Sequence, residues 1–500
     1  MATTEPMVST PKPTQKTGSS PGSFMLLVFG LLVSSDSLAE LDAGIRLGIS
    51  HTDNLFLSPA GEERADWIFN MSPFIRWSEA KPAYEGLLDY RYDRLAYANY
   101  GQNQSWHMLN AMFAGKALEE SLRLEVGASR RQVLQRPEDE ILPGRAPVSG
   151  NLSDLDQWYV EPSFRRTFGG SNTLLLRYRY AESEIGDLGE QPTQTAQSSQ
   201  SQNAQFSFDN YASGEGLTWA LRYTYNRVDY DNESFLPFEY HNAGAQLGFW
   251  AGTNLRFFAG AGKESPWDDP VNRTPEDPFW EAGFAYQAGD KINVEAAAGE
   301  RSFGESLRAS VAYNFRRGST SLSYSEAPVV AGFNRQRGRI PLNPTDPDDF
   351  LTNPARAERF VSNRFDWDLT LQGRRTEFRL AIFLEQRTGQ FAADGTPIPD
   401  AEQRSTNARF SWELGRRTSL DINGTYIERR QNVEQQEDQV LRARVAINYQ
   451  VGAATTVSLQ HQYTQQTPGD FATVREYTAN VTSCLLYTSD AADEHRDVVL

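Results

Sequence analysis

From residue 41 onward, apolar and polar residues alternate with a period of two. Leu41, Ala43, Ile45, Leu47 and Ile49 are apolar, and Asp42, Gly44, Arg46, Gly48 and Ser50 between them are polar or small. The alternation returns at Leu122/Leu124/Val126/Ala128, Leu217/Trp219/Leu221/Tyr223/Tyr225, Leu307/Ala309/Val311/Tyr313/Phe315, Phe378/Leu380/Ile382/Leu384 and Leu441/Ala443/Val445/Ile447/Tyr449. Successive side chains of a strand point to opposite faces, so each segment is a strand with one apolar and one polar side. About 22 such segments follow one another, with a range of 16–24 once ambiguous stretches are allowed for.

A soluble β-sandwich would show the same alternation, and two features separate the alternatives. Links at one end are short, as at Ser78–Ala83, Gly169–Thr173, Ala251–Asn254, Ala288–Lys291, Gly373–Thr376 and Gly415–Thr418. Links at the other end are mostly long and polar: His51–Asp66, Arg130–Gln157, Glu182–Gln202, Ser265–Pro278, Ala327–Phe360 and Gln386–Ser405, with Ser302–Ser306 the short exception. Short periplasmic turns alternating with long outer loops mark a transmembrane barrel, and a sandwich has no reason to alternate so regularly. Bulky aromatics are the second feature. Trp67, Trp77, Trp106, Trp158, Trp219, Trp280, Trp367 and Trp412 are assigned to the apolar faces, often near segment ends, where an amphipathic ring suits a membrane interface. The predicted fold is therefore all-β: an antiparallel up-and-down transmembrane barrel with short periplasmic turns and long outer loops.

The first 39 residues read differently. Lys12 and Lys16 precede an apolar run from Phe24 to Val33, and Ser37-Leu38-Ala39 offers small residues at a cleavage site. That is the pattern of a secretory signal peptide removed after Ala39, and the apolar run is too short to span a bilayer. The barrel is expected over 40–483.

Composition narrows the chemistry. A hydrophobic fraction of 39% with a mean hydropathy of −0.57 excludes a bundle of membrane helices. A net charge of −17 argues against nucleic acid as a partner. One cysteine leaves no disulfide framework and no Cys-based metal site. The histidines at 51, 107, 241, 461 and 495 are scattered without metal-ligand spacing. Gly260–Gly262 lie within a strand and are read as a close backbone approach rather than a phosphate cradle. No cofactor and no catalytic constellation is expected, although a hydrolase site on the lumen rim would be assembled in space rather than in sequence.

The polar faces carry the functional expectation. Arg46, Arg123, Arg177, Arg179, Arg222, Arg308, Arg379, Arg442 and Arg444 fall there, with Asp89, Glu125, Glu295, Asp366 and Asp368, and with Asp93, Glu161, Glu281, Glu385 and Glu413. An arginine facing lipid at mid-bilayer would cost about 2–4 kcal/mol, whereas a wet lumen accepts it. Many of these charges should pair across strands, and the rest would set a field for a hydrated solute. Tyr159, Phe258, Phe279 and Phe383 are the few aromatics expected to face inward. A lumen of this size leaks unless something fills it, and Ala327–Phe360 is the candidate constriction. The outer loops are acidic at Glu138-Asp139-Glu140, Asp268-Asp269, Asp346 to Asp349 and Glu434 to Asp438.

Two resemblances go beyond this. The opening strand and loop, Gly44-Ile45-Arg46-Leu47-Gly48-Ile49-Ser50-His51-Thr52-Asp53-Asn54-Leu55-Phe56, with Pro73 in the second strand and Tyr84, Tyr90 and Tyr92 in the third, resemble a porin family of outer-membrane barrels. That family is associated with PEP-CTERM/exosortase and exopolysaccharide systems. The resemblance implies an outer-membrane protein that exports or organises surface polysaccharide, and it transfers no site residue. Separately, Cys484–Glu494 resembles a translated sequencing-adapter read-through, which implies a last strand cut short and a disordered tail over 484–500. The expected function is a porin-like channel or export conduit for hydrophilic solutes; the alternative is a non-conducting barrel anchoring surface polysaccharide or partner proteins. Expected partners are outer-membrane lipid and lipopolysaccharide, the barrel-assembly machinery, and polysaccharide or export-system proteins.

Overall fold

The computed structural model describes residues 40–134, 147–148, 152–186, 198–210, 216–231, 236–266, 277–330, 359–391, 397–431, 436–467 and 476–489. Within them the chain is built of strands. β1 (Glu40–Thr52), β2 (Asp66–Ala80), β3 (Tyr84–Tyr97), β4 (Gln104–Ala117), β5 (Leu122–Leu134) and β6 (Leu152–Phe168) come first. β7 (Asn172–Ile185), β8 (Ser199–Asn210), β9 (Leu217–Tyr230), β10 (Phe238–Ala251), β11 (Leu255–Glu264) and β12 (Asp277–Ala288) follow. Then come β13 (Ile292–Arg301), β14 (Gly304–Phe315), β15 (Gly318–Val330), β16 (Arg359–Gln372) and β17 (Thr376–Phe391). The chain finishes with β18 (Pro397–Ile398), β19 (Ala401–Glu413), β20 (Thr418–Gln431), β21 (Gln436–Gly452), β22 (Thr455–Thr467) and β23 (Tyr477–Ser489).

Each strand pairs antiparallel with its neighbour in sequence, except that the two-residue β18 only extends the tip of β17, which pairs onward with β19. The meander closes where β1 pairs with β23, from Gly44↔Ser489 to Thr52↔Val481. With β18 set aside, 23 strands become 22 in the wall, a closed antiparallel barrel without a free edge. Parity survives the closure: Ser50 lies opposite Ser483, and their hydroxyls meet at 2.8 Å.

One face of this sheet is apolar and uncovered. Leu217 is 64% exposed, Leu247 59%, Phe69 54%, Leu459 54%, Trp280 51% and Trp67 50%. So large a greasy surface on a single chain belongs against lipid. The other face is concave. Gln246 on β10 reaches Glu281 on β12 at 3.0 Å, and Arg123 on β5 bonds Glu85 on β3. Partners two strands apart are separated by about 9.6 Å of sheet, so only converging side chains on the inside of a curve can meet.

Strands of 10 to 17 residues outrun the ~9–11 needed to cross the hydrocarbon. The excess lies at the long-loop end, where the outer face becomes charged: Arg130 pairs with Asp154 at 2.9 Å, Arg227 with Asp229 at 2.7 Å, and Arg404 with Glu402 at 2.7 Å. Just below this collar, Tyr90 bonds His107 and Tyr223 bonds His241, both at 2.8 Å, and the His51 ring meets Trp67 at 4.9 Å. His51, His107 and His241, which looked scattered along the chain, thus join an interfacial aromatic belt on the outside.

Trp106 is a correction. It faces inward, 6% exposed, with its indole N–H donating to Asp93 at 3.0 Å. β4 carries apolar residues at both parities, so its alternation is ambiguous, and pairing with β3 (Asp93↔Trp106) sets the face. The last strand differs too. It runs unbroken through Ser489; residues 484–488, expected to be disordered, pair with both β22 and β1, and Ser489 with β1. Backbone hydrogen bonding asks only for an extended segment, and Cys-Leu-Leu-Tyr-Thr-Ser supplies strand-forming residues for an edge that must otherwise stay open.

Candidate functional site

The lumen wall follows from parity. Register puts all nineteen charged residues singled out from the sequence on the concave face. Arg46 sits over Phe74 and Tyr487, its guanidinium 5.4 Å and 5.2 Å from the two ring centres. Asp89 pairs with Arg76 at 3.3 Å, and Arg123 with Glu125 at 2.8 Å. Arg177 and Arg179 share Glu161 at 3.2 Å and 3.4 Å, and Arg179 also stacks 3.8 Å over Tyr159. Arg308 bridges Glu295 at 2.8 Å and Glu281 at 3.4 Å. Arg379 is held by Glu377, and Asp366 by Arg364 at 2.7 Å. Arg222 stands opposite Ser207, Asp368 opposite Ser321 and Ala381, Arg442 between Thr425 and Thr464, and Arg444 between Asn423 and Gln462.

The densest network centres on Glu264, a residue the sequence analysis did not single out. Its carboxylate is 0% exposed and accepts from Tyr240 at 2.7 Å, Asn242 at 2.9 Å, the Ser302 amide at 2.6 Å, and the Arg301 guanidinium. Arg301 stacks in turn on Phe279, 4.7 Å from its centre. The signal was present: Glu264 simply continues the inward parity of Arg256, Phe258, Gly260 and Gly262.

More aromatics face inward than the four expected. Tyr159, Phe258, Phe279 and Phe383 are joined by Phe74, Tyr97, Trp106, Tyr240, Trp250 and Tyr477. Five of these ten carry a guanidinium, as Phe258 does from Arg256 at 5.3 Å and Phe383 from Arg364 at 4.5 Å. Some also lie flat over glycines. A methyl on Gly127 would sit 2.3 Å from the Tyr159 ring, and one on Gly262 2.6 Å from Phe279. Those glycines are therefore spaces occupied by cross-strand rings.

The outer mouth is narrowed by the first loop. Leu55 (2% exposed) packs on the inward residues Ile68, Leu95, Tyr97, Trp106 and Met108, with Val148 against it. Leu57, fully buried at φ 53°, packs on Tyr477, Ala479 and Leu152. Asn54 anchors the loop: its side chain accepts from the Ser58 amide at 2.8 Å and donates to the Ser58 and Thr478 carbonyls at 2.8 Å and 3.0 Å. Asp53 accepts from the backbone and side-chain amides of Asn480, both at 2.7 Å, so the Asp-Asn pair ties β1 to β23 at the seam. A second apolar cluster, Val228, Phe238, Tyr240 and Val361 with Phe303, brings together β9, β10, β16 and the β13–β14 turn. Of the expected constriction, residues 331–358 lie outside the described residues. Among the described ones, the loop after β1 is the segment folded inward.

Among the described residues no group of three His, Cys, Asp or Glu side chains could hold a metal ion. The four described histidines all lie on the outer face. What the wall offers is charge, hydrogen-bonding capacity and a shaped opening.

No family model matches this chain, and no curated protein matches it. Solved structures do. The FrpB iron transporter from Neisseria meningitidis, apoprotein form, superposes with a TM-score of 0.50 at 9% identity over 92% of this chain and 82% of its own. A mutant ferric enterobactin receptor, PfeA, from Pseudomonas aeruginosa does so with a TM-score of 0.50 at 9% identity, over 91% and 81%. A BenF-like porin from Pseudomonas fluorescens Pf-5 aligns over 90% and 98% at 10% identity, with a TM-score of 0.36 too loose to argue from. At such identities the likeness is one of fold, that of the large outer-membrane β-barrel.

Proposed function

We propose that this chain is an outer-membrane conduit for hydrophilic solutes, working without cofactor through the shape and charge of its lumen. The observation that carries the reading is the inversion of an ordinary protein: exposed leucines and tryptophans outside, arginines and carboxylates inside a closed wall. Such a wall stabilises water and charge across a layer that excludes both. The resemblance of the first strand and loop to barrels of exopolysaccharide systems supports a solute related to surface polysaccharide. Lipopolysaccharide is the natural neighbour of the charged collar and aromatic belt, and the barrel-assembly machinery that of the strands.

Reconstitution in a planar bilayer tests this. Discrete conductance steps are expected, and they should become larger or more frequent in Leu57→Asp, which places a charge where the first loop is buried. The buried packing of Leu55 and Leu57 favours one rival, a barrel that is closed and structural. Folded protein that passes no current as wild type and as Leu57→Asp would establish the rival.

A further inference from the structure

The inner wall is not uniform in charge. From β3 to β14, arginines alternate with carboxylates that neutralise them, as in Arg123–Glu125, Arg177–Glu161, Arg301–Glu264 and Arg308–Glu295. From β21 across the seam to β2 the inward positions are of another kind. β21 contributes Arg442, Arg444 and Asn448; β22 contributes Ser458, Gln460, Gln462 and Thr464; β1 and β2 contribute Arg46, Ser50, Asn70 and Ser72, and Arg76 at the boundary pairs with Asp89 of β3. Carboxylates on this arc stand only at strand ends, where Asp438 is held by Arg429 and Asp66 by the amides of Asn99 and Tyr100. Asp42, at the other end, accepts from Tyr487 at 3.3 Å.

Arg444 stands on the first strand of this arc. Its register neighbours are Asn423 and Gln462, and the row continues to Arg409 and Arg379 on β19 and β17. Two like charges directly opposite, Arg379↔Arg409, are unfavourable in a sheet unless anions offset them. Their own carboxylates are Glu377 and Asp421. Asp421 is already committed to Arg409, to Ser411 at 2.6 Å and to Asn448 at 2.9 Å. Among the described residues, no carboxylate lies within ion-pair distance of Arg444 or Arg46. Both guanidiniums thus face the lumen with charge to offer, flanked by neutral amides and hydroxyls that donate to oxygen.

We propose that the arc from β21 across the seam to β2 is an anion track, with Arg444 as its principal contact, taking hydrated oxyanions that also carry hydroxyl groups. Guanidinium supplies paired donors matched to a carboxylate or sulfate, and the amides supply donors and acceptors for the rest of such a molecule. This deepens the conduit reading and rests on it for transport, though not for binding.

The experiment has two arms. In a bilayer under a KCl gradient, the wild-type barrel should prefer chloride over potassium. Arg444→Glu should lower that permeability ratio at least about threefold, and Arg444→Lys should restore it. Sulfated dextran should block the current where sulfate alone only slows it if the track takes chains; equal effects of both would mark a site for single anions. An unchanged ratio in Arg444→Glu overturns the track. The second arm titrates sulfated dextran into the detergent-solubilised full chain, which needs no open pore. Binding weakened about tenfold by Arg444→Glu, with neutral dextran of equal size binding poorly, supports the site. Equal binding by both dextrans, or by both proteins, overturns it. Zero current with intact, Arg444-dependent binding refutes the conduit alone.

Discussion

The two arcs of the lumen wall use the same alternation and the same arginines, yet they differ in what stands beside each cation. In the arc around β11 to β14, Arg301 and Arg308 have carboxylates on facing or next-but-one strands, and Glu264 binds four partners with no exposed surface. In the arc around β21 and β22, Arg444 faces Asn423 and Gln462. The first arrangement fixes side chains and cancels charge, and so stiffens the wall. The second leaves a field in the lumen. The lesson is that charge on an inner face becomes functional or structural according to register, because only register decides whether a glutamate or a glutamine is adjacent.

The largest test of this contrast is Glu264→Ala. Removing the acceptor strands the Arg301 guanidinium and three other donors in a buried place, at a cost of roughly 3–5 kcal/mol. Urea unfolding in liposomes, followed by tryptophan fluorescence, should show it; a loss below about 1 kcal/mol would mean that the paired arc is not what holds the wall rigid. Next, Arg444 and Val445 are adjacent in sequence but face water and lipid. Val445→Arg, near the middle of β21, should cost about 2–4 kcal/mol, while Arg444→Val should cost no more than about 0.5 kcal/mol. Equal costs in the same unfolding assay would deny the assignment of faces. Within the lumen, Arg308→Ala takes from Glu281 and Glu295 the cation they share and should cost about 1 kcal/mol after solvent screening, more than Arg444→Ala; the reverse order would break the comparison. The smallest effect lies outside both arcs. The turn Leu118, Glu119, Glu120 holds φ of 51°, 56° and 68° without a glycine. Glu119→Gly should therefore stabilise the fold by about 0.5 kcal/mol, unless the strain is relieved elsewhere.

Much of this was legible because lipid is an intolerant solvent. An arginine cannot face it cheaply, so the parity of Arg123, Arg222 or Arg308 within its own strand already fixed which side was wet. Link lengths gave the topology for a similar reason, since antiparallel neighbours need only a few residues at a turn. Trp106 was misassigned because β4 is apolar on both sides, and Glu264 was overlooked at the end of a glycine-rich strand. The inward aromatics Phe74 and Tyr240 were hidden, because their partners are a glycine, an arginine or a glutamate on other strands.

The sequence by itself determined a run of antiparallel strands, their faces and the cations of the lumen, because each of these is set within one strand or one turn. Tertiary structure alone decided which cations are neutralised, that Leu55 and Leu57 fold into the mouth, and that β23 reaches Ser489 to meet β1. Those outcomes depend on contacts between residues tens or hundreds of positions apart, and a period of two carries no information about distance.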